Sequence, residues 1–435
     1  MALEIAVEIV RDPSRGFTGI PPQRTEEPTQ PTLPPSGFLP QLRVTIRSES
    51  DGLHIEVNAP RPHAPWDREW HSARLEISER QLWELGGRLR TLWQNKLVRY
   101  QRPDGEYGGQ VGSFPLAEAT DLTDYAQVTD AITTQLADQG HALMEKVLKG
   151  GGDELRLVRD FLMAALTDRG PMRVSFASCV NLPWSMLAVN PAECAEPWEA
   201  FLGCLHQIEQ GGDDGWNHAP LGKRDRAATS LNKDTALDGV GRAAEVHRLL
   251  DDRSELVVRT RGDELLEALS RHILDEDVMY FWCHGHYVDV GVDASHGGSG
   301  HGLSVSLSDG EPIDGPAVSW RRDGIPRTRQ ARFRPFVLLN ACHTGRGAAM
   351  GSLKHLGQEL RAMGADGVLA PQIEIPQVFA TEYAYCFLEL YLAGKHTAGE
   401  ITRELVQQFA DKYHNPLALA YALHCGIDSR LNLES

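Results

Sequence analysis

The sequence predicts an α/β fold, a mostly parallel sheet flanked by helices, preceded by a small β-rich module at the N-terminus. Three observations predict it. From residue 241 onward, amphipathic helical stretches alternate with short apolar runs of strand length. Two of these runs, Val278–Trp282 and Phe336–Leu339, are apolar throughout, as strands covered on both faces are. The first 115 residues instead carry period-two alternation and turn signals. The expected organisation is a β-rich module over 1–115, with a Pro-rich insertion at 11–40, followed by an α/β domain over 116–435.

Taken in order, Leu3–Val10 alternates as a strand does, and the prolines of 11–40 exclude a helix there. Leu42–Ile46 and Leu53–Val57 alternate with period two around Asp51-Gly52, which predicts a hairpin. Ser78 and Gln81 have the spacing of a capping box, and Leu82, Leu85, Leu89, Leu92, Trp93 and Leu97 then share one helical face. Helices are expected over 127–149 and 153–167, interrupted by Gly150-Gly-Gly152, and a strand over 172–179. Residues 209–240 are polar, glycine-rich and weakly periodic, which predicts a long surface loop. Then come helix 241–250, strand 255–259, helix 262–273 and strand 278–283. An irregular loop is expected over 288–302, then strand 303–307, the run to Cys342, helix 351–363, strand 367–370 and two further helices.

The net charge of −17 argues against a general nucleic-acid or anionic-membrane surface, because phosphates are repelled overall. No apolar run approaches the ~20 residues of a membrane helix, and Met1-Ala-Leu-Glu-Ile lacks the basic start of a signal peptide. Seven cysteines, without a Cys-x-x-Cys pair, suit reduced thiols. The expectation is a cytoplasmic protein.

The chemistry concentrates at two strand ends. Phe336-Val-Leu-Leu-Asn-Ala-Cys342 delivers a thiol to a turn bounded by Gly345 and Gly347, and Val278-Met-Tyr-Phe-Trp-Cys-His284 delivers an imidazole before Gly285. In a parallel sheet both emerge at the carboxyl edge, where such sheets place their sites. A thiolate attacks a carbonyl carbon, and a histidine titrating near neutrality supplies the proton for the leaving amine. His286 and His343 compete for the histidine's role. Cys283, His284, His286, His296 and His301 form a His-rich run, but its spacing matches no usual structural-zinc pattern, so no metal is expected. Gly239-Val-Gly-Arg-Ala-Ala244 follows a polar loop rather than a strand, which removes its likeness to a dinucleotide fingerprint. No cofactor is expected.

Asn340-Ala-Cys-His-Thr-Gly345, with His284-Gly285 upstream, resembles the CHAT family of caspase-like proteases, in the clan of caspases, separases and gingipains. Leu182-Pro-Trp-Ser-Met-Leu187, Ala243–Leu250, Leu303–Gly310, Gly364–Leu369 and Asn415–Ala420 resemble further elements of that family, so the likeness spans roughly 120–430. It departs after the Gly-Val strand, where the family often has a tryptophan and this chain has Ala370-Pro-Gln-Ile-Glu-Ile-Pro376. The resemblance implies a caspase-like sheet, a dyad of His284 and Cys342, and an oxyanion hole from the backbone N–H groups of Gly285 and Cys342. It also places the base before the glycine, which selects His284 over His286 and His343. The implied activity is that of an endopeptidase cleaving a protein partner in a regulated bacterial defence or cell-death pathway, under control of a regulatory protein or signal; the alternative is a non-catalytic scaffold of the same fold or a signal-sensing interaction protein. Asp289, Asn340 and Glu374 are the candidate pocket residues; an acidic liner favours Arg or Lys before the cleaved bond.

Overall fold

The computed structural model describes residues 41–61, 64–101, 114–168, 170–211, 224–290, 300–322, 325, 333–342 and 360–433, all within the unit Pro40–Ser435. The expected strand at 3–10, the Pro-rich stretch, His296, His343 and most of the expected helix 351–363 lie outside the described residues.

The chain opens with β1 (Leu42–Glu49), β2 (Gly52–Arg61) and β3 (Ala64–Arg74), then α1 (Glu79–Trp93), α2 (Ala126–Val147) and α3 (Asp153–Asp168). Next come β4 (Arg173–Ser178), a single turn α4 (Leu202–Leu205), β5 (Gln207–Gly211) and β6 (Ala227–Lys233). They are followed by α5 (Ala243–Arg253), β7 (Ser254–Arg259), α6 (Gly262–Leu269), β8 (Val278–Val290), β9 (Gly300–Ser306), β10 (Pro312–Ile313) and α7 (Gly315–Arg322). The chain closes with β11 (Phe336–Cys342), β12 (Gly367–Pro371), α8 (Gln377–Leu392), α9 (Ala398–Tyr413) and β13 (Tyr421–Cys425).

One sheet runs in the order β10-β9-β8-β11-β12-β13-β5-β4-β1-β2-β3, with β6 beside β8 and β7 beside β6. The expected hairpin forms, with Ile46 opposite Ile55 and Gly52 supplying the turn at φ 136°. It does not stand as a body of its own: β1 pairs in parallel with β4, Val44 opposite Phe176, so the N-terminal strands extend the sheet across residue 115. α1 carries both reciprocal bonds of the Ser78–Gln81 capping box and buries Leu82, Leu89 and Trp93, as its apolar stripe requires.

The loop expected over 209–240 is overturned in part. Ala227–Lys233 is a strand, parallel to both β7 and β8. Its sequence Ala-Ala-Thr-Ser-Leu-Asn-Lys disguises it, because Thr229, Ser230, Asn232 and Lys233 are buried polar residues with partners of their own. Thr229 meets Ser254, Ser230 donates to Glu276, Asn232 donates to the Tyr280 carbonyl and accepts from Arg259, and Lys233 pairs with Asp238. Polar groups satisfied in this way remain inside a sheet at little cost. The loop expected over 288–302 is shorter too, since β8 continues to Val290 and pairs with β9 from Gly300. The strands β3, β5 and β13 add to those that the sequence pattern predicts.

The central strands are covered on both faces. Val278, Tyr280, Trp282, Phe336 and Leu338 join one buried cluster, with the rings of α8. Met279, Phe281, Cys283, Val337 and Leu339 join another, beneath α6 and α7. This two-sided burial explains their uninterrupted apolar text. Phe336 lies opposite Gly367 in register, and a Cβ built on that glycine would come 2.3 Å from the Phe336 ring. Gly367→Ala is therefore expected to cost about 1–3 kcal/mol by overpacking, read as a lower denaturant midpoint with an unchanged slope.

Candidate active site

Two parallel strands, β6 and β11, end beside His284 on either flank of β8, which itself runs on to Val290. β11 and β8 pair from Phe336↔Val278 to Cys342↔His284, so the last residue of β11 stands directly beside His284. β6 pairs with β8 through Lys233↔Trp282, and the next residue, Asp234, donates its backbone N–H to the Trp282 carbonyl at 2.9 Å. The histidine is thus flanked by β11 on one side and by the end of β6 on the other.

His284 Nε2 lies 3.4 Å from Asp234 Oδ2, with the two side chains 24% and 14% exposed. Asp234 Oδ1 accepts from the backbone N–H of Ala236 at 3.0 Å, capping the short turn Thr235–Leu237. That turn is anchored again by Trp282, whose Nε1 donates to the Leu237 carbonyl, and by Ser308, which accepts from the Thr235 N–H. Sequence reasoning missed Asp234 because it follows a strand that does not look like one. The signal was Asp at the cap position before Thr-Ala-Leu.

The other predicted residues are placed as follows. Gly285 is buried, opposite Val305 of β9, and His286 follows two positions along β8, opposite Ser304. Cys283 belongs to the buried cluster on the face opposite that of Trp282, and alternation puts His284 with Trp282. Cys283 and His284 therefore do not converge as ligands on one metal.

Asn340 is 1% exposed and sits in the core: its amide donates to the Ala380 carbonyl at 2.9 Å and accepts from the Tyr421 hydroxyl at 2.7 Å. Tyr421 in turn stacks on Tyr383 with ring centroids 3.8 Å apart. Asn340 thus ties β11 to α8 and β13 beneath the thiol's strand end. Asn340→Ala removes both bonds and is expected to cost about 1–3 kcal/mol, measured as a fall in thermal midpoint.

Glu374 accepts from Arg99 Nη2 at 2.9 Å and from Gln94 Nε2 at 3.0 Å, while its own N–H donates to Gln94. Its charge is already matched by Arg99, which lies beyond the end of α1. Asp289 stands on β8 opposite His301, five residues past His284, or about 16 Å along an extended strand.

Several other thiols are poor nucleophiles. Burial pushes Cys204 and Cys386 up to about 12, and raises Cys425 and Cys194 as well, so each is held as the neutral thiol. Among the described residues no helix is long and apolar enough to cross a membrane.

No family model matches the chain. Over 168 residues it is 26% identical to a protein named "Probable protease" from Vitiosangium sp. (strain GDMCC 1.1324), a match covering 38% of this chain and 19% of the relative. The chain spans about a fifth of that relative's length. Among solved structures it is similar to separase in two Saccharomyces cerevisiae separase–securin complexes. The TM-scores are 0.41 and 0.39, each at 10% identity, covering 92% of this chain and 30% and 31% of the separase chains.

Proposed function

We propose that the chain is a cysteine endopeptidase in which Cys342 is the nucleophile and His284 the acid–base. The observation that carries this reading is the register of Cys342 beside His284 on adjacent parallel strands, at an edge where the neighbouring strand also ends. The similarity to a protease over part of the chain supports it.

In the proposed reaction the thiolate sulfur attacks the carbonyl carbon of a peptide bond, and the carbonyl electron pair moves to oxygen. The N–H groups of Gly285 and Cys342 would hold that oxyanion. Collapse of the intermediate breaks the C–N bond, and the imidazolium gives its proton to the departing amine, leaving a thioester. Water activated by the neutral imidazole then attacks the thioester and releases the acid and the thiol. No metal or cofactor enters these steps.

The substrate is a protein partner, cleaved under the control of a regulatory protein or signal within bacterial defence or cell death; the CHAT resemblance supports this part of the reading. An acidic pocket built on Asp289 would select Arg or Lys before the cleaved bond; Glu374 is already paired with Arg99, and Asn340 is committed to the core. The test is to co-express the chain with candidate partners and sequence the new N-termini. Cys342-dependent fragments support the reading, and their absence from every partner and peptide library counts against it. Cleavage after Asp would remove the acidic pocket.

A further inference from the structure

Resting on the reading of His284 and Cys342 as a dyad, we propose that Asp234 is a positioning residue that sets the orientation of the His284 ring. The sheet order supplies the first argument. β6 and β11 both pair with the stretch of β8 just before the histidine, so they occupy its opposite flanks. Asp234 leaves β6 on one flank and Cys342 ends β11 on the other. A ring whose Nε2 faces Asp234 is held from the β6 flank, opposite the flank on which β11 ends at Cys342.

The second argument is that the carboxylate is built in place before any substrate arrives. Its backbone is held by the Trp282 carbonyl, its Oδ1 by the Ala236 N–H, and the turn that follows by Trp282 and Ser308. With Oδ1 committed, the side chain has one direction left for Oδ2, and that direction leads to His284 Nε2 at 3.4 Å. A carboxylate locked by surrounding bonds fixes a ring better than a mobile one, because no rotamer freedom is lost when they engage. Both side chains are mostly withdrawn from solvent, which strengthens their interaction relative to a surface pair. The pair Lys233–Asp238 on the same segment is closed on itself at 2.7 and 2.8 Å, which leaves Asp234 as the segment's carboxylate facing the histidine.

The competing reading is that Asp234 is only a cap for the turn 235–237. Asp234→Asn separates the two, since asparagine caps as well as aspartate but brings no charge to the imidazole. The readout is the alkylation rate of Cys342 by iodoacetamide, followed by peptide mapping, which needs no knowledge of the natural substrate.

Asp234→Asn should keep the wild-type thermal midpoint and slow alkylation of Cys342 about tenfold. Asp234→Glu should recover part of the rate. In a His284→Ala background, Asp234→Asn should have no further effect, because a residue acting through the ring has nothing left to act on. Wild-type alkylation in Asp234→Asn, beside a slow His284→Ala, would overturn the assignment while leaving the dyad standing. So would an additive loss in the double variant. Wild-type alkylation in His284→Ala would instead remove the dyad reading itself.

Discussion

Cys342→Ala is expected to lower peptide cleavage by about three orders of magnitude or more, to the background of the assay. The proposed reaction forms its covalent bond at one sulfur, and the strand register gives His284 that residue as its neighbour on β11. Alanine is smaller and apolar and suits the end of a buried strand, so the thermal midpoint should stay within a few degrees of wild type. Asn340, two residues earlier on the strand, keeps its bonds to Tyr421 and Ala380. Steady-state cleavage of a peptide cut by the wild type, with a melting curve on the same preparations, checks both halves. A folded and fully active variant would move the nucleophile elsewhere; among the described cysteines, Cys204, Cys386 and Cys425 are poor replacements because burial holds them neutral.

His284→Ala is expected to cost about 10²–10⁴ in rate, the usual worth of a positioned acid–base group. His286→Ala should cost less than about tenfold on the same scale. The difference follows from register. β11 accompanies β8 only as far as Cys342↔His284, so position 286 lies beyond the last paired residue and faces Ser304 of β9 instead. Rates of the two variants, measured on one peptide, decide between them. A larger loss in His286→Ala would reverse the assignment of the base.

Much of this arrangement is legible in the sequence, for identifiable reasons. Val278–Trp282 and Phe336–Leu339 are readable because strands buried on both faces need apolar residues at every position. The Ser78–Gln81 cap and the Asp51-Gly52 turn are readable because few residue types meet those local backbone demands. What is hidden is decided by tertiary partners. β6 looks like a loop because its polar side chains are satisfied by Ser254, Glu276 and Arg259 from elsewhere in the fold. Asp234 is hidden with it, since its local text marks a capped turn but not the nearness of His284. Asn340 and Glu374 sit near the right strands, but their polar groups go to Tyr421 and Ala380, and to Arg99 and Gln94; sequence spacing cannot foresee that distribution. The joining of the hairpin to the main sheet depends on β1 meeting β4, a pairing more than a hundred residues apart.

The central claim is that Cys342 and His284 act together on a carbonyl carbon. Peptide mapping by mass spectrometry after reaction with a thiol-directed peptidyl probe tests it most directly, because the probe must be bound and attacked before it is captured. The account predicts one adduct, on Cys342, formed rapidly in the wild type, slowly in His284→Ala and not at all in Cys342→Ala. An adduct on another cysteine, or labelling of Cys342 at the same rate with and without His284, would contradict it.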